Sequence, residues 1–212
     1  MSDNEKQVKM GVIPMFATPL FVFPIDNWNK YRKTILNLLP KIEAVNGIST
    51  DRSAFGEEKV LPHYAGVVFD IVEKQLEEFS KSVMDSKGAK DYTETALGIT
   101  EMWYRTDTSE AQYTIDNEGT VGWTAILHID YDREIHRPPF FLSPAPKPGS
   151  GDIDSFEYPV EEGMLIIFPS TTAYQPGAIN PEEDVKRTLV TFNIKTDPVK
   201  SLKTITYEIE NA

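Results

Sequence analysis

The segment VEEGMLIIFPS, residues 160–170, decides the fold of this chain. A short charged turn leads into five consecutive apolar residues, Met164 to Phe168, and a proline follows at once. A continuous apolar run that is bounded by turn residues is typical of a strand covered on both faces. A second such run, RTLVTFNI, covers residues 187–194. It begins with Arg187, a charge that needs a partner if the strand is buried.

Strands are predicted on both sides of these two runs. From residue 96 onward, β-branched and aromatic runs alternate with clusters of Gly, Pro, Asn and Asp, which is the pattern of an all-β region. The predicted strands lie near Ile99–Arg105, Trp123–Asp130, Met164–Phe168, Arg187–Lys195 and Ser201–Ile209. The proline-rich stretch from Pro138 to Gly151 is interpreted as a long loop inside the same domain.

The N-terminal part predicts one edge strand and two helices. Val12 to Val22 contains Pro14 and Pro19, which suit the margin of a sheet. Apolar residues at helical spacing predict a helix from Trp28 that breaks near Pro40, and a second, clearer helix over residues 68–83. We therefore expect a mainly β fold with flanking helices (α+β) in a single domain, 1–212. Residues 1–95 form its N-terminal strand and supporting helices, and residues 96–212 form its β core.

Composition restricts the function. Lys and Arg number 21 against 33 Asp and Glu, so the net charge of −12 disfavours nucleic acid as a partner. The absence of cysteine excludes disulfides and thiolate metal sites. No apolar run is long enough to span a membrane, and the polar N-terminus does not look like a signal peptide. We expect a protein of the host-cell cytoplasm or of a virus particle.

Three segments together carry a resemblance to a known family. They are FATPL (residues 16–20), GWTAILHIDYD (residues 122–132), and the order EGMLIIFPS followed by RTLVTFN. The chain resembles the Fe(II)/2-oxoglutarate-dependent oxygenases, especially short phage-encoded ones. The resemblance implies a double-stranded β-helix, a jelly roll of cupin type. Fe(II) and 2-oxoglutarate are the implied cofactors. Arg187 would bind the far carboxylate of the keto acid, with Thr188 and Trp123 beside it.

The positions that hold iron in this family carry other residues here. Asp116 and Glu118 stand at the two closely spaced ligand positions, and Tyr174 stands at the remote one. Carboxylates and a phenol are hard oxygen donors that suit Mg²⁺, Ca²⁺ or Mn²⁺ better than a tuned Fe(II) centre. An alternative metal pair is His128 and Asp130, because residues two apart on a regular strand face the same side.

The sequence leaves several functions open. The chain could be an oxygenase with an atypical metal set that acts on a small molecule or a protein. It could instead have lost the metal site and bind no cofactor, keeping the fold as a structural or binding component, for example of a virus particle. Its partners would then be copies of itself, other virion proteins or a glycan. The third hypothesis is a small-molecule-binding relative of the cupins. Analogy of fold does not distinguish between the three hypotheses.

Overall fold

A computed structural model describes residues 10–15, 18–52, 61–86, 94–147, 149–180 and 185–199. Its two longest helices are α1 (Trp28–Leu38) and α2 (Ala65–Ser86). The strands, in chain order, are β1 (Gly11–Met15), β2 (Thr18–Pro24), β3 (Ile48–Thr50), β4 (Glu94–Thr108), β5 (Trp123–Asp130), β6 (Phe140–Pro146), β7 (Ile153–Glu157), β8 (Met164–Pro169), β9 (Tyr174–Gln175) and β10 (Lys186–Val199).

The strands form two antiparallel sheets. The larger sheet has the order β1-β2-β8-β5-β10-β4-β3, and the smaller has the order β7-β6-β9. An isolated bridge between Asp116 and Tyr174 continues the smaller sheet beyond β9. The two sheets face each other and enclose the interior of a barrel. The expected mainly β, double-stranded β-helix architecture is confirmed.

The apolar run of β8 shows why the larger sheet needs cover on both faces. Leu165 and Ile167 pack in a cluster with residues of both helices, whereas Ile166 and Phe168 pack in a second cluster with residues of the smaller sheet. All four side chains are fully buried. A strand between two layers has no polar face, which explains the continuous hydrophobic sequence.

The N-terminal elements follow the sequence pattern with one difference. The predicted edge strand is a hairpin, in which β1 pairs with β2 and forms the edge of the sheet. Helix α1 ends at Leu38, two residues before Pro40, because a proline disfavours helical geometry in the residue before it. Helix α2 extends past both ends of its predicted range. No helix in the described ranges is long and apolar enough to span a membrane.

The proline-rich stretch after residue 138 is more regular than expected. It contains β6, which pairs with both β7 and β9 and so forms the centre of the smaller sheet. The shift in register between Leu142 and Pro146 shows how the prolines are accommodated, since a proline donates no hydrogen bond. The short strands β3, β7 and β9 were not predicted either. The predicted strand Ser201–Ile209 lies outside the described residues.

Candidate functional site

The three family-aligned metal positions come together at one end of the barrel. Asp116 and Tyr174 exchange two backbone hydrogen bonds, at 3.0 and 2.8 Å. The phenol of Tyr174 donates to Glu118 Oε1 at 2.8 Å. The carboxylate of Asp116 is exposed, and its Oδ1 accepts the N–H of Asn117 at 2.8 Å. The backbone therefore gathers all three residues, but only two of their side chains meet.

The carboxylate of Glu118 is almost buried and already has partners. Its side chain is 8% exposed, and its Oε2 lies 2.7 Å from Nη2 of Arg52. The N–H bonds of Arg52 are not aligned with that oxygen, so the contact is an ion pair held by charge. The guanidinium of Arg52 stacks on the ring of Trp103, with its carbon 4.3 Å from the ring centroid. Burial raises the pKa of Tyr174 well above its ordinary value, and the nearby Glu118 carboxylate adds to this, so the phenol stays protonated.

Arg187 lies deeper in the barrel, at the start of β10. Its side chain is 2% exposed. Its Nη2 donates to Asp107 Oδ2 at 2.7 Å, and its Nη1 donates to the carbonyl oxygen of Gly177. Asp107 is fully buried and also accepts from Nε of Arg105 at 2.5 Å. The charge that the sequence left without a partner is thus paired inside the protein.

The chain itself fills the space beside Arg187. A Cβ atom on Gly177 would lie 2.0 Å from the carbonyl oxygen of Arg137 and 2.3 Å from that of Pro138, so only glycine fits there. The remaining cavity is lined by Arg187, Gly177 and seven further residues, and its volume is about 10 Å³. A void of that size holds at most a single water molecule.

The alternative metal pair is separated by an irregularity in β5. Asp130 pairs with Thr188 and His128 pairs with Leu189, so Ile129 is an extra residue on its strand. Such a bulge breaks the alternation of side chains along the strand. The carboxylate of Asp130 lies 2.5 Å from Arg32 of α1, on the helix side of the sheet. His128 instead lines the small cavity inside the barrel.

The imidazole of His128 is held neutral by its surroundings. It is buried, and its Nδ1 donates to the carbonyl oxygen of Met164 at 3.1 Å. Burial lowers its pKa to about 3, and the positive charge of Arg187 acts in the same direction. In the described part of the chain, no group of three or more His, Asp or Glu side chains is arranged to hold a metal ion.

Two other predicted cofactor contacts face away from the barrel interior. Trp123 packs edge-to-face against Phe21 and Phe79 in the layer between the helices and the larger sheet. The hydroxyl of Thr188 pairs with that of Thr106 at 3.0 Å, beside a groove that also involves the segment after α1. Neighbouring residues of a strand face opposite sides, so the inward position of Arg187 turns Thr188 outward.

A larger cavity opens at the opposite end of the strands. The start of β5 pairs with the end of β8, so the residues after β5 and before β8 lie at the end remote from Glu118. There the side chains of Arg32, Asp130, Asp132, His136, Glu162 and Lys186, with five others, enclose about 700 Å³. This volume lies within the range of small-molecule sites. Its wall carries charges of both signs.

His136, on the wall of this cavity, has one ring nitrogen committed. Its Nδ1 accepts the N–H of Asp132 at 2.9 Å, so in the neutral ring Nε2 carries the proton. Burial lowers the pKa of His136, and Arg187 lowers it further. Nε2 is buried and finds no hydrogen-bond partner within the described ranges. The sequence left open whether His136 is a solvated loop residue or faces a substrate; the residue is 3% exposed, so it is not solvated.

Comparison with solved structures identifies the architecture. The chain matches the α-ketoglutarate-dependent carbocyclase SnoK from nogalamycin biosynthesis with a TM-score of 0.54 and 10% identity, over 88% of this chain and 84% of that one. It matches HygX from Streptomyces hygroscopicus, solved with nickel, 2-oxoglutarate and hygromycin B, with a TM-score of 0.53 and 10% identity, over 84% and 82%. The fold is that of the 2-oxoglutarate oxygenases. The sequence itself matches no family model and no curated protein sequence.

At the family-aligned positions in the described part of the chain, the side chains do not fit the cofactors that the resemblance implies. None of the residues Asp116, Glu118 and Tyr174 supplies an imidazole ligand. The phenol of Tyr174 keeps its proton and donates a hydrogen bond to Glu118, whereas a phenol that binds a metal ion gives up its proton. Glu118 is neutralised by Arg52. Arg187, to which the resemblance assigns the keto acid, is paired with Asp107 beside a cavity of only about 10 Å³.

Sequence reasoning missed the three residues that complete these contacts. Arg52, Arg105 and Asp107 lie in segments that carry no recognisable motif. One signal was available: Arg105 ends a predicted strand and Asp107 follows two positions later, so an extended chain would place both charges on one face, where they could pair. Nothing in the sequence connects Arg52 with Glu118.

Proposed function

We propose that this chain is a double-stranded β-helix protein with a lost metal site, which acts by binding a partner rather than by catalysing 2-oxoglutarate-dependent oxidation. Its resemblance to short phage-encoded proteins favours a structural or binding component of a virus particle, or of the infected cell's cytoplasm. Its partner is then another virion protein, a second copy of the chain or a glycan.

The observation that carries the proposal is the internal pairing of Arg187. In the fold's oxygenases, an arginine at this place on the strand would receive the keto acid. Here Asp107 supplies a buried carboxylate at 2.7 Å, and the carbonyl of Gly177 takes the second nitrogen. The protein's own groups satisfy the charge, so a dicarboxylic acid would have to displace them and open a cavity of about 10 Å³.

The cavity of about 700 Å³ supports a binding role at the other end of the barrel. Charged groups at its edge are exposed to a polar partner: Lys186, and the surface ion pair of Arg133 with Glu161. HygX was solved with a small molecule, hygromycin B, beside nickel and 2-oxoglutarate. A binding site at the far end of this barrel would need neither the metal nor the keto acid.

Titration calorimetry of the purified chain with Mn(II) and 2-oxoglutarate tests the proposal, together with a succinate assay with Fe(II) and oxygen. We expect no saturable heat and no succinate above the level of an Arg187→Met control. Saturable binding that the Arg187→Met substitution abolishes, or succinate above that level, would overturn the proposal, and the succinate would establish an oxygenase.

Light scattering coupled to size-exclusion chromatography tests the partner component. If the chain binds copies of itself, its mass in solution is a multiple of the 24.0 kDa chain and falls to one chain on dilution. A mass of one chain at all concentrations excludes the second copy as the partner and leaves another virion protein or a glycan.

A further inference from the structure

The site around Glu118 contains the elements that recognise a planar cation. The carboxylate is almost buried, and an ionised group in that position is costly unless a positive charge lies beside it. On one side Tyr174 donates a hydrogen bond to Oε1. On the other side the buried ring of Trp103 offers its face. Trp103 lies on β4 and Tyr174 on β9, whereas Glu118 lies in the loop before β5.

We infer that Glu118, Tyr174 and Trp103 form a binding site for a guanidinium group, which Arg52 of the same chain fills in place of a metal ion. The inference rests partly on the proposed loss of the metal site, and it adds what occupies the position. Arg52 lies 2.7 Å from Glu118 and 4.3 Å from the centroid of Trp103, so both attractions act on one group.

The backbone around Glu118 fixes the site before the cation arrives. The N–H of Glu118 donates to the carbonyl oxygen of Ser170 at 3.2 Å, and the side chain of Asn193 donates to the carbonyl oxygen of Glu118 at 3.2 Å. These bonds connect the loop before β5 with the end of β8 and with β10. The backbone of Glu118 is therefore anchored at two points, whereas the side chain of Arg52 is 46% exposed.

A planar guanidinium fits these contacts better than a metal ion or an ammonium group. Stacking on an indole favours a flat, weakly hydrated cation, and an aromatic face is no ligand for a divalent ion. The hydroxyl of Tyr174 donates its hydrogen bond to Glu118. The site thus selects by shape as well as by charge.

Chemical rescue of the variant Arg52→Ala tests this inference in the full-length chain. Removing Arg52 leaves Glu118 without its cation, and we expect the thermal midpoint to fall by about 4–8 °C. Methylguanidinium at millimolar concentration should restore at least half of that fall, with a shift that grows with the logarithm of its concentration. Methylammonium should restore less, and Mn²⁺ no more than methylammonium.

Two further variants complete the experiment. The double variant Arg52→Ala/Glu118→Gln should not respond to methylguanidinium, because the carboxylate that binds it is gone. If Arg52→Ala does not fold, Arg52→Lys provides the comparison, since it keeps the charge and loses the planar group. We expect its midpoint to lie below that of the wild type.

Three results would overturn the inference: an unchanged midpoint in Arg52→Ala, an unchanged midpoint in Arg52→Lys, or a rescue by Mn²⁺ that exceeds the rescue by methylguanidinium. The last result would show a metal site. The first two results do not depend on 2-oxoglutarate turnover by the wild type, so they separate a failure of the inference from a failure of the proposed function.

Discussion

Substituting Asp107 by Asn removes the single negative charge from the buried cluster inside the barrel. The carboxylate of Asp107 is 0% exposed and accepts from Arg105 at 2.5 Å and from Arg187 at 2.7 Å. Two guanidinium groups would then share one neutral amide. Arg187 Nε and Arg105 Nη2 already find no hydrogen-bond partner in the described part of the chain, so no spare acceptor compensates.

The expected cost follows from burial. Breaking a buried ion pair by removing one partner costs about 3–5 kcal/mol, because the remaining charge stays unpaired. Arg105 is 24% exposed and can be partly solvated, which places Asp107→Asn toward the lower end, at about 3–4 kcal/mol. For a chain of this size that is a fall in the melting temperature of about 6–16 °C.

Urea denaturation followed by tryptophan fluorescence measures this loss. The matched control is Glu161→Gln, which breaks the Arg133–Glu161 pair at 2.8 Å, where the side chains are 69% and 55% exposed. It should cost about 0–1 kcal/mol. Adding Arg187→Met to Asp107→Asn removes one unpaired cation and should recover part of the loss. A loss below about 1 kcal/mol in Asp107→Asn would refute this account of the buried cluster.

Three further predictions concern packing and pH. Gly177→Ala should destabilise the fold by about 1–3 kcal/mol, because its Cβ would strike two backbone carbonyl oxygens, whereas Gly66→Ala, with nothing within 4 Å, should be neutral or stabilising in the same urea experiment. Burial lowers the pKa of His128 to about 3, so between pH 6.5 and 3 the unfolded chain binds a proton that the folded chain does not bind. The free energy of unfolding should therefore fall as the pH drops through this range, by up to about 1.4 kcal/mol per pH unit. The substitution His128→Leu should reduce that slope. Burial raises the pKa of Tyr131 to about 12 and that of Tyr174 well above its usual value. Stability should therefore be lost as the pH rises above about 10, the pKa of tyrosine in the unfolded chain. An ultraviolet titration of the folded protein in which all tyrosines ionise near pH 10 would contradict this.

Much of the fold could be predicted from local pattern. The strand Trp123–Asp130 has the predicted bounds, and α1 ends before Pro40 as the proline requires. The pattern failed where pairing with distant strands decides the structure. Strand β6 lies in a proline-rich stretch that was interpreted as a loop, although Phe140 and Phe141 favour a strand, and both residues pair with β7 and β9.

The candidate site divides in the same way. Alignment with the family placed Asp116, Glu118 and Tyr174 together, and the backbone does bring them together. The partners that determine what these residues do come from elsewhere in the chain. Arg52 reaches Glu118 across 66 positions of sequence, and no local rule connects two such residues. The sequence pattern does not indicate the bulge at Ile129 either. The bulge nevertheless turns His128 and Asp130 toward different layers.

The strand order of the larger sheet governs how the chain can acquire its structure. Strand β2 has β8 as its inner neighbour in the sheet. Phe21 can therefore pair with Ile167 only after β8 has been synthesised. Contacts between residues so far apart close long loops, which slows folding. During synthesis the N-terminal hairpin has an open, apolar margin until β8 has left the ribosome. Slow refolding, and aggregation of chains that stop short of β8, are the kinetic consequence of placing the first strands beside one of the last.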